Sequence, residues 1–233
     1  MKLDLHVHTN VGSSDSGLSP EQLVIAAKAV GLDGVCVTEH GTVWDKYQME
    51  RFSAEHDFLV IPGMEVSTDL GHITCFGLTG YSSGIHRAEI LRRVVQASDG
   101  IMIAAHPFRR MFDDPRISGW SKIYSVEEAA DLTIFKLTDE LEVVNGANNA
   151  QENLFALKVA RVLGRTGIGG SDAHSTSGIG YGAIVTERDV SNVEELIEEI
   201  REGRYYPTGS LLKGSAISYW DERADELGAA VAS

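Results

Sequence analysis

Short β-branched runs alternate with amphipathic stretches along the whole chain of 233 residues. That alternation is the pattern of strands joined by helical crossovers, and it predicts an α/β fold. The strand candidates are LDLHVH (3–8), GVCVTEH (34–40), FLVIPGMEV (58–66), HITCFGL (72–78), IMIAAHP (101–107), LEVVNG (141–146), GIGGSDAH (167–174) and YGAIVT (181–186). Most are short and apolar, as interior strands buried on both faces are.

Helix boundaries are readable between them. Ser19, Pro20 and Gln22 give an N-cap, a proline at the first helical position and a capping box, and Gly31 can close the segment in a left-handed conformation. Ser125 with Glu128, and Ser191 with Glu194, repeat the box ahead of helices expected over 126–137 and 192–202. Two further helices, over 86–98 and 151–163, collect their apolar residues on one face. The segment 111–125, MFDDPRISGWSKIYS, has no period and reads either as a lid or as an ordered surface insertion. One domain over 1–215 is expected, followed by a tail over 216–233 that is frayed or forms a short helix.

Composition narrows the function classes. Apolar residues make up 43% and charged ones 23%, the balance of a globular chain. No apolar run approaches the roughly 20 residues of a membrane span, and MKLDLHVH has no signal-peptide character, so no membrane partner and a cytoplasmic location are expected. The net charge is −14 and no Lys/Arg run exceeds two, which argues against extended nucleic-acid binding. Cys36 and Cys75 sit in apolar runs and read as reduced core residues, not nucleophiles.

The histidines carry the chemistry. His6 and His8 lie at the end of the first candidate strand, His40 at the end of the second, Glu65 at the end of the third, His106 at the end of the fifth, and Asp172 with His174 at the end of the seventh. An H-x-H on a strand points both rings to one face. In an α/β barrel such strand ends converge on one rim. His72 opens its strand, but an antiparallel hairpin through VSTDLG would bring it beside Glu65. Together with Asp15 in the loop GSSDSG, nine nitrogen and oxygen donors gather, more than one zinc uses. Two or three divalent ions are implied, and imidazole with carboxylate and no thiolate suits Zn, Mn or Fe. His56 and His86 read as surface residues.

The ordered segments DLHVHT, SSDSGLSPEQLVIAAKAVGLDGVCVTEH, GMEVS, GHI, AAHPFR and GGSDAH resemble the PHP family, named for polymerase and histidinol phosphatase, from residue 3 to about residue 210. The resemblance implies a distorted (β/α)7 TIM-like barrel with a trinuclear centre at the carboxyl ends of its strands. It implies His6, His8, Glu65 and Asp172 on a first metal, Glu65 bridging to a second held by His72 and His106, and Asp15, His40 and His174 on a third. Glu39 stands where the family often has Asp, one place before His40, but it is not the matched ligand.

Such a centre hydrolyses phosphate esters through a bridging hydroxide, with Glu65, Asp172 and His174 as the catalytic set. Arg109 and Arg110 directly follow HPF and are the candidate phosphate clamps, Arg109 preferred, unless they pair with Asp113 and Asp114 on the surface. Asn145 and Asn148 either line the pocket or shape a turn. The leading expectation is a phosphoesterase for a small phosphorylated substrate. The alternatives are a 3′-to-5′ exonuclease of the PHP type and a non-catalytic, metal-stabilised regulatory module.

Overall fold

The structure is a computed structural model and describes residues 1–209 and 217–218. Ten strands form one sheet: β1 (Lys2–Val7), β2 (Gly34–His40), β3 (Leu59–Thr68), β4 (Gly71–Phe76), β5 (Ile101–Ala104), β6 (Glu140–Asn145), β7 (Ile168–Gly170), β8 (Gly182–Thr186), β9 (Tyr205–Gly209) and β10 (Ile217–Ser218). The order is β10-β9-β8-β1-β2-β3-β4-β5-β6-β7. Strands β1 to β7 curl into a nearly closed barrel, because the chain following β7 returns to the end of β1. There Asp172 N–H donates to His6 O at 2.7 Å and His8 N–H to Ala173 O at 3.0 Å, and Val7 bridges Ala173 in parallel.

Glycine permits this closure. A Cβ on Gly170 would lie 2.5 Å from His6 Cβ, and one on Gly169 would lie 1.9 Å from Ala183 O. The GGSDAH run therefore lets β7 pass close enough to β1 and β8 to deliver Asp172 and His174 to the barrel mouth.

The sheet is mixed, where uniform crossovers would make it parallel. Strand β4 runs antiparallel to both β3 and β5, so the expected hairpin around 67–71 is present and no helix joins β3 to β4. β8 is antiparallel to β1 and begins an outer flap with β9 and β10. The tail expected over 216–233 lies outside the described residues except for Ile217–Ser218, which pairs with β9.

The helices are α1 (Pro20–Ala29), α2 (Lys46–His56), α3 (Ala88–Ala97), α4 (Pro115–Ser118), α5 (Val126–Ala130), α6 (Thr133–Leu137), α7 (Ala150–Leu163) and α8 (Val193–Arg201). Ser19 and Ser125 cap α1 and α5 through complete capping boxes. Three readings need correction. Helix α8 is capped by Asn192 instead of Ser191, since the Asn192 side chain accepts from Glu195 N–H; adjacent Ser and Asn are both good caps, and the packing of Leu196, Ile197 and Ile200 selects the later start. The helix expected over 126–137 is two short ones, broken at Asp131 and Leu132. Helix α2 has no counterpart among the expected helices, because Met49 is the one residue it buries and its pattern is weak.

Packing explains the depth of the site. The floor of the barrel holds Leu3, Leu5, Cys36, Ile61, Phe76, Ile101 and Ile103, whereas Val7 joins Val35 and Val37 in the cluster beneath α1 and α2. Strand β1 changes phase between these groups: Asp4 pairs with Val35 but Val7 with Val37, so one extra residue is inserted. The bulge lets leucines fill the floor while His6 and His8 take the mouth. Asp4 accepts the N–H groups of His6 (3.2 Å) and Ser171 (2.8 Å) at the bulge. Burial outweighs these bonds and pushes its carboxyl up to about 6.

Candidate metal centre

Glu65, on the inner face of β3, is the hub. Its Oε1 lies 2.9 Å from His72 Nδ1 and 3.0 Å from His106 Nε2. Its Oε2 lies 2.9 Å from His40 Nδ1, 3.4 Å from His8 Nε2 and 3.6 Å from His6 Nε2. Asp172 stands across the mouth, with Oδ1 3.2 Å from His8 Nε2 and 3.5 Å from His6 Nε2. Asp15 closes the outer side, 3.2 Å from His40 Nε2 and 3.4 Å from His174 Nε2. All nine donors expected from the sequence are thus linked in one cage, with His6 and His8 fully buried and Asp15 58% exposed at the rim.

Seven of the nine donors fall into overlapping groups whose ligand atoms lie within 4.8 Å of one another: His6, His8 and Asp172; His6, Glu65 and His106; and His8, His40 and His174. His72 joins through its contact to Glu65, and Asp15 through its contacts to His40 and His174. Imidazole nitrogen and carboxylate oxygen without thiolate fit borderline divalent ions, and both cysteines are buried away in β2 and β4. Burial opposes the charge on Glu65 and Asp172, but the neighbouring imidazoles outweigh it and hold both carboxyls below their usual range. At His6 burial is likewise outweighed, by Glu142, Asp172 and Glu65, so its pKa is raised. Burial prevails at His8 and lowers it. The Glu65 contact raises His40, while at Asp15 backbone and imidazole contacts prevail over burial and lower it.

Two supporting groups escape a reading of the sequence. Glu142, buried in β6, accepts from His6 Nδ1 at 2.6 Å, from His106 N–H at 2.7 Å and from Asn145 Nδ2 at 2.7 Å. Behind His8, Ser13 Oγ accepts from Nδ1 at 3.1 Å and donates to Glu39 Oε2 at 2.5 Å. Glu39 also accepts from the Thr9 hydroxyl and from Trp44 Nε1 at 3.0 Å. Both carboxylates orient an imidazole so that its Nε2 faces the cage. The signal for Glu142 was an acid inside an apolar strand, the kind of buried charge that needs a partner.

Backbone strain accompanies the ligands. His106 has φ 31° and Asp172 φ 54°, both left-handed for residues with a side chain. Such conformations cost about 1–3 kcal/mol and persist where surroundings over-determine them.

Arg109 and Arg110 part company. Arg109 donates from Nη2 to Asp172 (2.6 Å) and Asn145 (2.8 Å) and from Nε to Asn148 (3.0 Å), and no partner among the described residues meets Nη1. Asn145 and Asn148 therefore brace the arginine at the mouth. Arg110 is 53% exposed and pairs with Asp113 at 3.3 Å, so it takes the surface pairing and is not joined to the cage. The segment 111–125 packs against Arg109: Trp120 Nε1 donates to Arg109 O at 3.0 Å and its ring stacks on Phe108. His86 is exposed, and His56 is half-buried against Phe52.

Comparison with known proteins agrees with this architecture. PsfC from Pseudomonas syringae superposes with a TM-score of 0.60 at 18% identity, over 90% of this chain and 91% of that one. A protein from Bifidobacterium adolescentis designated a metal-dependent phosphoesterase gives 0.58 at 17% identity, over 85% and 94%. An amidohydrolase from Chromobacterium violaceum with bound sulfate gives 0.57 at 16%, over 74% and 87%. At these identities the likeness is one of fold. An uncharacterized protein of Methanocaldococcus jannaschii is 27% identical over 118 residues, 46% of this chain and 68% of that protein. The model of the PHP domain matches residues 4–82 and that of the PHP-associated region matches 150–205. These two matches cover β1 through β4 and α7 through α8, and over both stretches the chain is similar to the PHP family.

Proposed function

We propose that the chain is a metal-dependent phosphoesterase that hydrolyses a small phosphorylated substrate. The observation that carries this reading is the convergence of six imidazoles and three carboxylates on one barrel mouth, with Glu65 placed to serve several of them at once. When bound there, two or three divalent ions such as Zn, Mn or Fe would supply charge for the phosphoryl oxygens and activate the attacking water. His6, His8, Glu65 and Asp172 would hold one, Glu65, His72 and His106 another, and Asp15, His40 and His174 a third.

The chain's own residues do the rest. Arg109 is set at the rim, and its Nη1, which meets no partner among the described residues, can hold a phosphate oxygen. Glu142 and the Ser13–Glu39 pair keep His6 and His8 in one tautomer and orientation. Trp120 and its neighbours wall one side of the mouth. The acidic surface and the walled mouth favour a compact ligand over a polymer.

The test combines elemental analysis of the purified protein with assays of phosphomonoesters, phosphodiesters and single-stranded oligonucleotides. Bound divalent metal and turnover of a monoester or small diester are expected. Glu65→Gln is expected to lose both metal and turnover. Degradation of oligonucleotides from the 3′ end, with no small ester cleaved, would replace this reading by a nuclease; metal without any turnover would leave a regulatory module.

A further inference from the structure

A cavity of about 390 Å³ opens directly beside the cage. His72, His106 and Arg109 form its inner end, and Pro107, Trp120, Leu132 and Ile134 form its walls. Among the described residues no carboxylate or ammonium lines it, and Thr133 is the one polar side chain beyond the inner end. Trp120 is fixed in place: its indole N–H is spent on Arg109 O, Phe108 stacks behind it at 6.2 Å, and Tyr124 meets it edge-on at 5.8 Å. The ring can therefore offer a ligand its apolar surface but no hydrogen bond.

Resting on the phosphoesterase reading above, we propose that this cavity is a leaving-group pocket for an uncharged aromatic group, which makes the substrate class the phosphomonoesters of aromatic alcohols or phenols. A phosphoryl group held at the inner end by Arg109 and the cage would place the organic part against these walls. A sugar or polyol would bury hydroxyls there with almost nothing to receive them, and unpaired buried hydroxyls are costly. An aromatic ring loses no hydrogen bond and gains stacking on a preorganised indole. The segment 111–125 then acts as a pocket wall, and Trp120 is its specificity-determining residue.

The test uses binding, so that the intrinsic reactivity of a phenolate leaving group does not enter. Phenylphosphonate and methylphosphonate are titrated calorimetrically into the Mn²⁺-loaded protein. Wild type is expected to bind phenylphosphonate about tenfold more tightly or better, the discrimination one apolar contact surface can supply. Trp120→Ala is expected to abolish that preference by weakening phenylphosphonate. Because Trp120 also supports Arg109, Leu132→Asn serves as a second variant and is expected to weaken phenylphosphonate alone. Equal affinity of wild type for the two phosphonates would overturn the pocket and leave the phosphoesterase reading standing. Failure of both to bind the metal-loaded protein would overturn both.

Discussion

The Nε2 atoms of His6 and His8 face each other at 2.9 Å in the mouth of the barrel. Each ring has its other nitrogen committed as a donor: His6 Nδ1 to Glu142, and His8 Nδ1 to a Ser13 hydroxyl whose own hydrogen goes to Glu39. Both Nε2 lone pairs therefore point into one space between Glu65 and Asp172, an arrangement that is costly unless a proton or a cation lies there. Removing divalent metal with a chelator is accordingly expected to lower the thermal unfolding midpoint, and adding Mn²⁺ or Zn²⁺ to restore it. A cation present at about 100 times its Kd would contribute about 2.7 kcal/mol. A calorimetric scan insensitive to both treatments would contradict this.

Glu142 touches no ligand-binding space itself but aligns His6 and the backbone of His106. Glu142→Gln is expected to weaken metal binding by about 10- to 100-fold, the usual cost of losing such a supporting carboxylate. Competition with a chromophoric chelator measures it directly. Circular dichroism should remain unchanged, which separates loss of orientation from loss of fold.

The two adjacent arginines should respond unequally. Arg109→Ala removes a charge-assisted contact to Asp172, and kcat/KM for a phosphomonoester is expected to fall by about 100-fold or more. Arg109→Lys should recover little, because a point charge cannot span Asn145, Asn148 and Asp172 together. Arg110→Ala should change kcat/KM by less than about twofold, since its partner is a surface aspartate.

Close passage at β7 can be tested with one methyl group. Gly170→Ala would press a Cβ to 2.5 Å from His6 Cβ, and it is expected to destabilise the protein by about 1–3 kcal/mol, as overpacking does, and to lower metal content as His6 is displaced. Gly17→Ala is the control, because nothing lies within 4 Å of the added carbon. Urea unfolding of the two variants should differ clearly.

Away from the mouth, burial lifts the Glu140 carboxyl above its usual range, despite the N–H bond from Gly167. The folded chain then holds this proton more tightly than the unfolded chain does. Its contribution to stability is present below the ordinary carboxylate pKa and is lost as pH rises through the folded value. Relative to Glu140→Gln, wild type should become less stable as pH rises over the range that begins at the ordinary carboxylate value, about 4.3. Urea midpoints for the pair across that range report the slope, and parallel curves would reject it.

Much of the fold was legible because strands and helices announce themselves locally. The run ending in His40 closes there as expected, whereas β3 continues past Glu65 to Thr68 and His106 lies two residues beyond β5, yet all three reach one rim. The boxes at Ser19 and Ser125 became helix starts. Where local signals compete or are thin, the reading slipped: Ser191 and Asn192 are both good caps, and α2 buries only Met49. Glu142 was passed over because a lone acid in LEVVNG carries no hint of which histidine it will meet, 136 positions away.

What the chain determined by itself was the list of donors and their spacing along strands, since a period of two and a cap need only near neighbours. Which of those donors stand close enough to share a cation, and which charges stand behind them, was settled by contacts between distant segments. The extra residue in β1 that turns His6 and His8 inward after Leu3 and Leu5, and the glycine passage that brings Asp172 across to them, exist only once the barrel closes. Closure also decided between Arg109 and Arg110, whose identical chemistry is separated by a single left-handed residue at position 110.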